Sequence, residues 1–161
     1  MTIEIYTDIY KDRVSDLILL IQRAEFGIPI TLEQQPDLAN IPGFYQRDNG
    51  NFWIAKKDDT VIGTIALLDI GHNRGALRKM FVAKEFRGKE HGIGQSLLDH
   101  LLEWARYKVI AEIFLGTTAK FIAAQRFYEK NGFIEVQKQD LPKEFPVMEV
   151  DIKFYKFVLT N

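Results

Sequence analysis

Three glycines in the run Phe86-Arg87-Gly88-Lys89-Glu90-His91-Gly92-Ile93-Gly94-Gln95-Ser96-Leu97-Leu98 stand between an apolar stretch and an amphipathic one. That spacing suits an anion. Gly88, Gly92 and Gly94 lack Cβ, so the backbone can take positive φ and turn several N–H groups toward one ligand. The opening N–H groups of a helix have no internal partner and carry the positive end of the macrodipole, which makes such a junction a seat for pyrophosphate. Two common phosphate loops do not fit. Gln95 and Ser96 follow Gly94 where a Walker A loop needs lysine and a hydroxyl residue, and Leu97 occupies the small-residue position of a dinucleotide fingerprint.

Other residues with chemical potential are less distinctive in isolation. Tyr128 lies at helical spacing with Phe121 and Ala124, the pattern of a core aromatic. His72, His91 and His100 show no ligand spacing, so no metal is expected. The chain has no cysteine, which excludes a thiolate nucleophile and a disulfide framework and fits a reducing compartment. Glu25, Asp69 and Asp151 are conceivable bases acting through water, though each reads more readily as a surface charge or cap. Phe44, Tyr45, Phe52 and Trp53 can line an acceptor pocket, but such a cluster is more often core.

The chain has 161 residues, 47% hydrophobic, enough for one substantial core and, by expectation, a single domain over residues 1–161. Its net charge of −1 gives no global attraction to nucleic acid or anionic membrane, and neither is expected as a partner. The N-terminus carries no basic region followed by a long apolar stretch, so a cytoplasmic location is the plain expectation. No repeat or low-complexity tract is evident.

Elements must position these residues. Ile3 to Thr7 reads as a strand, and Val14, Leu17, Ile18 and Ile21 predict a helix from about Lys11 to Glu25. Gly27, Pro29, Pro36, Pro42 and Gly43 interrupt the next stretch of chain, leaving a short helix at Leu32 to Ala39 and a segment suited to contacting substrate. Phe52 to Lys56 and Val61 to Leu68 read as a hairpin about Lys57-Asp58-Asp59-Thr60, and Ala76 to Val82 as a third strand. Beyond the glycines, Ile93, Leu97, Leu98, Leu101, Leu102 and Ala105 form one apolar helical face. Val109 to Leu115 alternates like a strand. Thr117 or Thr118 can cap the next helix, which ends at Asn131-Gly132. Phe133 to Val136 and Asp151 to Leu159 supply two more strands, joined by the proline-restricted loop Leu141 to Met148. The central strand-turn-helix-strand unit implies one parallel pair flanked by antiparallel hairpins.

Strand Leu77-Arg78-Lys79-Met80-Phe81-Val82, the loop Arg87 to Gly94 and the helix end Ala124-Gln125-Arg126-Phe127-Tyr128-Glu129-Lys130-Asn131-Gly132-Phe133 occur in an order and approximate spacing that resemble the GNAT acyl-CoA N-acyltransferases. The resemblance is tightest over Leu77 to Phe133. It implies an α/β (α+β) fold: a mixed, mostly antiparallel sheet with a splayed parallel strand pair and helices on both faces. It further implies acetyl-CoA as cosubstrate. Phe81 and Val82 match the strand end that binds the pantetheine arm, and His91, Gly92, Ile93, Gly94, Gln95 and Ser96 match the pyrophosphate loop. Lys89 adds charge nearby. Tyr128 matches the tyrosine that protonates the departing thiolate. Arg87 or Lys89 takes the loop's basic position, and Phe121 replaces a common asparagine. No general base carries over, because the strand reads Ala76-Leu77-Arg78-Lys79 where some members place glutamate.

These implications lead to an N-acetyltransferase acting on a primary amine of a small molecule or protein, by direct transfer within a ternary complex. Preorganised donors would stabilise the charge that develops on the carbonyl oxygen, and joint binding would remove much of the entropic barrier. A noncatalytic acyl-CoA-binding regulatory module is the alternative, motivated by the missing base and asparagine. The C-terminal strand can offer an edge for pairing into a homodimer.

Overall fold

The computed structural model describes residues 1–159. Among the described residues, seven strands form one sheet in the order β1-β2-β3-β4-β5-β7-β6. Their ranges are β1 Thr2–Ile5, β2 Asn51–Lys57, β3 Thr60–Gly71, β4 Arg74–Val82, β5 Glu112–Thr117, β6 Ile134–Val136 and β7 Lys153–Val158. Only β4 and β5 pair in parallel; every other neighbouring pair is antiparallel. Helices α1 (Lys11–Leu19), α2 (Ile41–Phe44), α3 (Ile93–Tyr107) and α4 (Ile122–Lys130) complete the architecture.

Alternation along the strands divides the core between the two sheet faces. Trp53 and Ala55 of β2 pack with α3 residues Leu97, Leu98 and Leu101, whereas Phe52 and Ile54 pack with α1 residues Val14, Leu17 and Ile18. All six residues of the expected apolar face of α3 are buried. Helices therefore cover both faces, as the resemblance implied.

Several local expectations change. The first helix keeps α geometry only to Leu19; Leu20–Glu25 widen into a π-helical turn, with Phe26 N–H donating five residues back to the Ile21 carbonyl at 3.1 Å. The expected helix at Leu32 to Ala39 is a 3-10 turn at Pro36–Ala39 followed by α2, whose N-terminus Asn40 caps by accepting from Gly43 N–H. Val109 has φ +59°, so β5 starts at Glu112 rather than Val109. The threonine cap also fails. α4 begins at Ile122 with Phe121 at its N-cap and no side-chain cap, because the Thr118 carbonyl and hydroxyl are spent on a preceding turn, accepting from Phe121 N–H and Lys120 N–H. Finally, β7 lies between β5 and β6, so the C-terminal strand is not an edge.

Candidate active site

β4 and β5 stay paired for only three positions, Arg74 with Glu112 through Ala76 with Phe114, although β4 continues to Val82 and β5 to Thr117. The strands part because β4 carries an extra residue. Thr64 and Ala66 of β3 face Phe81 and Arg78, so three steps along β4 oppose two along β3. This bulge places Lys79 at φ +53° and turns its carbonyl to accept from the Thr64 hydroxyl at 2.6 Å. Beyond Ala76, no strand among the described residues pairs with β4 on the β5 side.

The wedge opens into a cavity of about 840 Å3. Phe81, Val82, Lys89, Gly92, Gly94, Gln95, Ser96 and Tyr128 all line it. His91 and Ile93 do not: the His91 ring is exposed and packs edge-on to Phe86 at 5.8 Å, and the Ile93 side chain is buried in the core. The pyrophosphate assignment of the His91 side chain is therefore unsupported by its position. Gly92 sits at the α3 N-cap with φ +65°, and its amide already donates to the Gly88 carbonyl at 3.3 Å. Among the described residues, no acceptor engages the amides of Ile93, Gly94 and Gln95. These three are the available donors, and Gly92 serves by its left-handed conformation rather than by its own N–H.

Charge is distributed unevenly around this space. Arg87, Lys89, Arg126 and Lys130 line it near the glycine loop. The neighbouring Lys89 ammonium pushes the pKa of Lys130 down. Arg87 also fastens the loop: its guanidinium forms a two-pronged pair with Glu25, one arm at 2.7 Å, and its Nε donates to the Val82 carbonyl at 2.8 Å. Glu25 is thereby committed to structure. Asp69 is likewise spent, accepting from the amides of Asn49 and Gly71.

Tyr128 projects from α4 with its ring among Phe127, Phe133 and Tyr155. It is 5% exposed and burial pushes its pKa up. Its hydroxyl makes no hydrogen bond within the described chain, yet no fully buried side-chain polar atom lacks a partner, so the hydroxyl is the part that reaches the cavity. Phe121 packs edge-on against Phe26 at 4.9 Å and Phe81 at 6.2 Å, making an apolar wall over the wedge. The position where asparagine was absent has become part of a hydrophobic slot.

The opposite end contains groups that no motif announced. Lys79 Nζ donates to Gln35 Oε1 at 2.5 Å and lies 3.5 Å from Asp37 Oδ2, which also accepts from the Tyr45 hydroxyl at 2.6 Å. Burial pushes the Lys79 pKa down to about 8, against the opposing attraction of Asp37. The Gln35 and Gln22 side-chain amides donate to each other's carbonyl oxygens, at 2.9 Å from Gln35 and 3.1 Å from Gln22. Tyr45, Phe52 and Trp53 are core, and none of them lines the cavity; nor does Phe44. Phe145, Pro146 and Met148 of the proline-restricted loop do line it, together with Asp151.

The chain matches the acetyltransferase (GNAT) family over residues 15–133 and belongs to it. It is 41% identical to an acetyltransferase of GNAT family from Staphylococcus aureus Mu50, whose crystal structure matches with a TM-score of 0.94 over 99% of each chain. N-acetylaspartate synthetase from Danio rerio is 36% identical over 102 residues, covering 62% of this chain and 36% of that protein. The chain spans about a third of the length of the curated relatives it matches first. The PaiA N-acetyltransferase from Thermoplasma acidophilum, in complex with coenzyme A, has the same fold at a TM-score of 0.72 and 20% identity, over 99% of this chain and 100% of that one.

Proposed function

We propose that the chain is an N-acetyltransferase that moves an acetyl group from acetyl-CoA to a primary amine within a ternary complex. The observation carrying this reading is one continuous cavity that joins the free α3 amides, the β4/β5 wedge and the Tyr128 hydroxyl. The residues fit the cosubstrate. Amides of Ile93, Gly94 and Gln95 would hold the diphosphate, with Ser96, Lys89 and Lys130 adding donors and charge around it. Phe81 and Val82 would lie along the pantetheine arm, in a slot walled by Phe121.

Acetyl-CoA supplies the activated thioester. Around it, the unpaired side of β4 offers donors for the carbonyl oxygen, where negative charge develops during attack. Tyr128, a phenol protonated at neutral pH whose pKa burial raises further, would donate its proton to the departing sulfur. Phe81, Val82, Lys89, Gly92, Gly94, Gln95, Ser96 and the Ile93 amide are thus proposed to bind the cosubstrate, and Tyr128 to act in catalysis.

Steady-state release of free CoA with a panel of primary amines tests this reading. Multiple turnovers are expected. A folded preparation that binds no acetyl-CoA would overturn it, and tight binding without transfer to any small-molecule or protein amine would identify the noncatalytic acyl-CoA-binding module instead.

A further inference from the structure

Two opposite charges sit at the acceptor end of the cavity without neutralising one another. Arg78 of β4 is half-buried, with its guanidinium carbon 5.7 Å from the Phe44 ring centre and 5.9 Å from that of Tyr45, and Nη2 3.4 Å from Met148 Sδ. Among the described residues, no carboxylate forms an ion pair with it. Neighbouring Lys79 differs, since Asp37 and Gln35 already take its charge. Arg78 precedes Val82 by four residues, about 13 Å along a strand, which places it well away from the glycine loop and its phosphates. Its aromatic and thioether neighbours fix a guanidinium while leaving its donors to an incoming group.

Asp151 is built in from the loop that leads into β7. Ile152 N–H donates to the Thr117 carbonyl at 3.0 Å, which seats Asp151 over Gly116 at the splayed end of β5. Space there is reserved: a Cβ on Gly116 would fall 2.5 Å from Asp151 Oδ2. That oxygen accepts from Met148 N–H at 3.2 Å, whereas Oδ1 has no hydrogen-bond partner in the described chain, and the residue lines the cavity. Desolvation raises the Asp151 pKa, opposed by the Met148 amide and by the field of Arg78. The two side chains feel each other electrostatically without touching.

We propose that the acceptor is a free amino acid, its carboxylate held by Arg78 and its ammonium by Asp151, which takes the proton that must leave before attack. This rests on the acetyl-transfer reading and names its substrate class. The ammonium gives one proton to the Asp151 carboxylate, and the freed lone pair forms the C–N bond at the thioester carbonyl. The C–S bond breaks with its electron pair on sulfur. Sulfur takes the Tyr128 proton, Tyr128 recovers the second proton from nitrogen, and Asp151 releases its own to water. Arg78 is a specificity residue; Asp151 is a catalytic residue.

The test compares the standard L-amino acids with their C-terminal amides and decarboxylated amines, in turnover and in calorimetric binding to the CoA-loaded protein. At least one amino acid is expected to exceed its amide by about 100-fold in kcat/KM, the discrimination that a charge-assisted bidentate contact supports. Arg78→Gln should raise the KM of that amino acid by a similar factor while leaving its amide and the KM of acetyl-CoA within about twofold. Asp151→Asn should lower kcat by about 100-fold with little change in acetyl-CoA affinity. Equal turnover of amines lacking a carboxylate would overturn the proposal and leave acetyl transfer standing. Absence of amino-acid binding would also overturn it, whereas absence of turnover with every amine would remove the acetyl-transfer reading itself.

Discussion

Tyr128 and Gly116 show how a single atom decides what the wedge can do. The Tyr128 hydroxyl has no hydrogen bond in the described chain, so Tyr128→Phe removes a proton source without removing a fold contact. Its kcat should fall by about 100-fold while the acetyl-CoA Kd and the melting temperature hold, as steady-state kinetics, calorimetry and thermal unfolding would check. Gly116→Ala acts in the opposite sense, by adding a methyl group where the Asp151 carboxylate rests. It should cost about 1–3 kcal/mol in urea denaturation and lower turnover together. That Tyr128 lines the cavity was legible because its neighbours formed a motif. Asp151 was legible only as one of three conceivable bases and Arg78 only as part of a strand, because one comes from a strand and the other from a loop 73 positions later, and only the splay of β4 from β5 brings them to one cavity.

Among the elements, α3 was the most readable: its six apolar positions repeat at helical spacing and all six are buried. The glycine loop was readable in kind but not in detail, since sequence alone could not say which amides remain free once Gly92 N–H turns back to Gly88. The π-helical turn at Leu20–Glu25 was hidden for a related reason. Its apolar spacing imitates an α-helix, and the widening is visible only in the backbone bond from Phe26 to Ile21. That turn delivers Glu25 to Arg87, whose guanidinium holds the Glu25 carboxyl below the usual carboxylate range. A lowered pKa means stabilisation that is present above the ordinary carboxylate value and lost as pH falls through the folded one. Glu25→Gln should therefore cost about 1 kcal/mol near neutrality and almost nothing near pH 3, measured by urea denaturation at both.

For the molecule as a whole, the sheet is two antiparallel blocks, β1 to β4 and β5 to β7, joined in the sheet by three parallel pairings. The mixed architecture was legible from the alternation of strands and helices around the glycine loop; the brevity of the join was not, because no local pattern announces where two strands stop sharing bonds. The cationic side chains near the loop should make coenzyme binding weaken as salt rises. At low salt, coenzyme A at about 100 times its Kd should add ~2.7 kcal/mol, raising the melting temperature by about 5–10 °C, and much of that rise should disappear in high salt. A thermal shift titration checks both.

The short parallel join gives the cosubstrate a second part to play. A thioester arm lying between Phe81 and Leu115 would occupy the gap where strand-to-strand rungs are missing, and so would stitch the two blocks to each other. Amide exchange along the outer halves of β4 and β5 should then slow when the coenzyme enters and quicken when it leaves, making the cohesion of the sheet a record of each turnover.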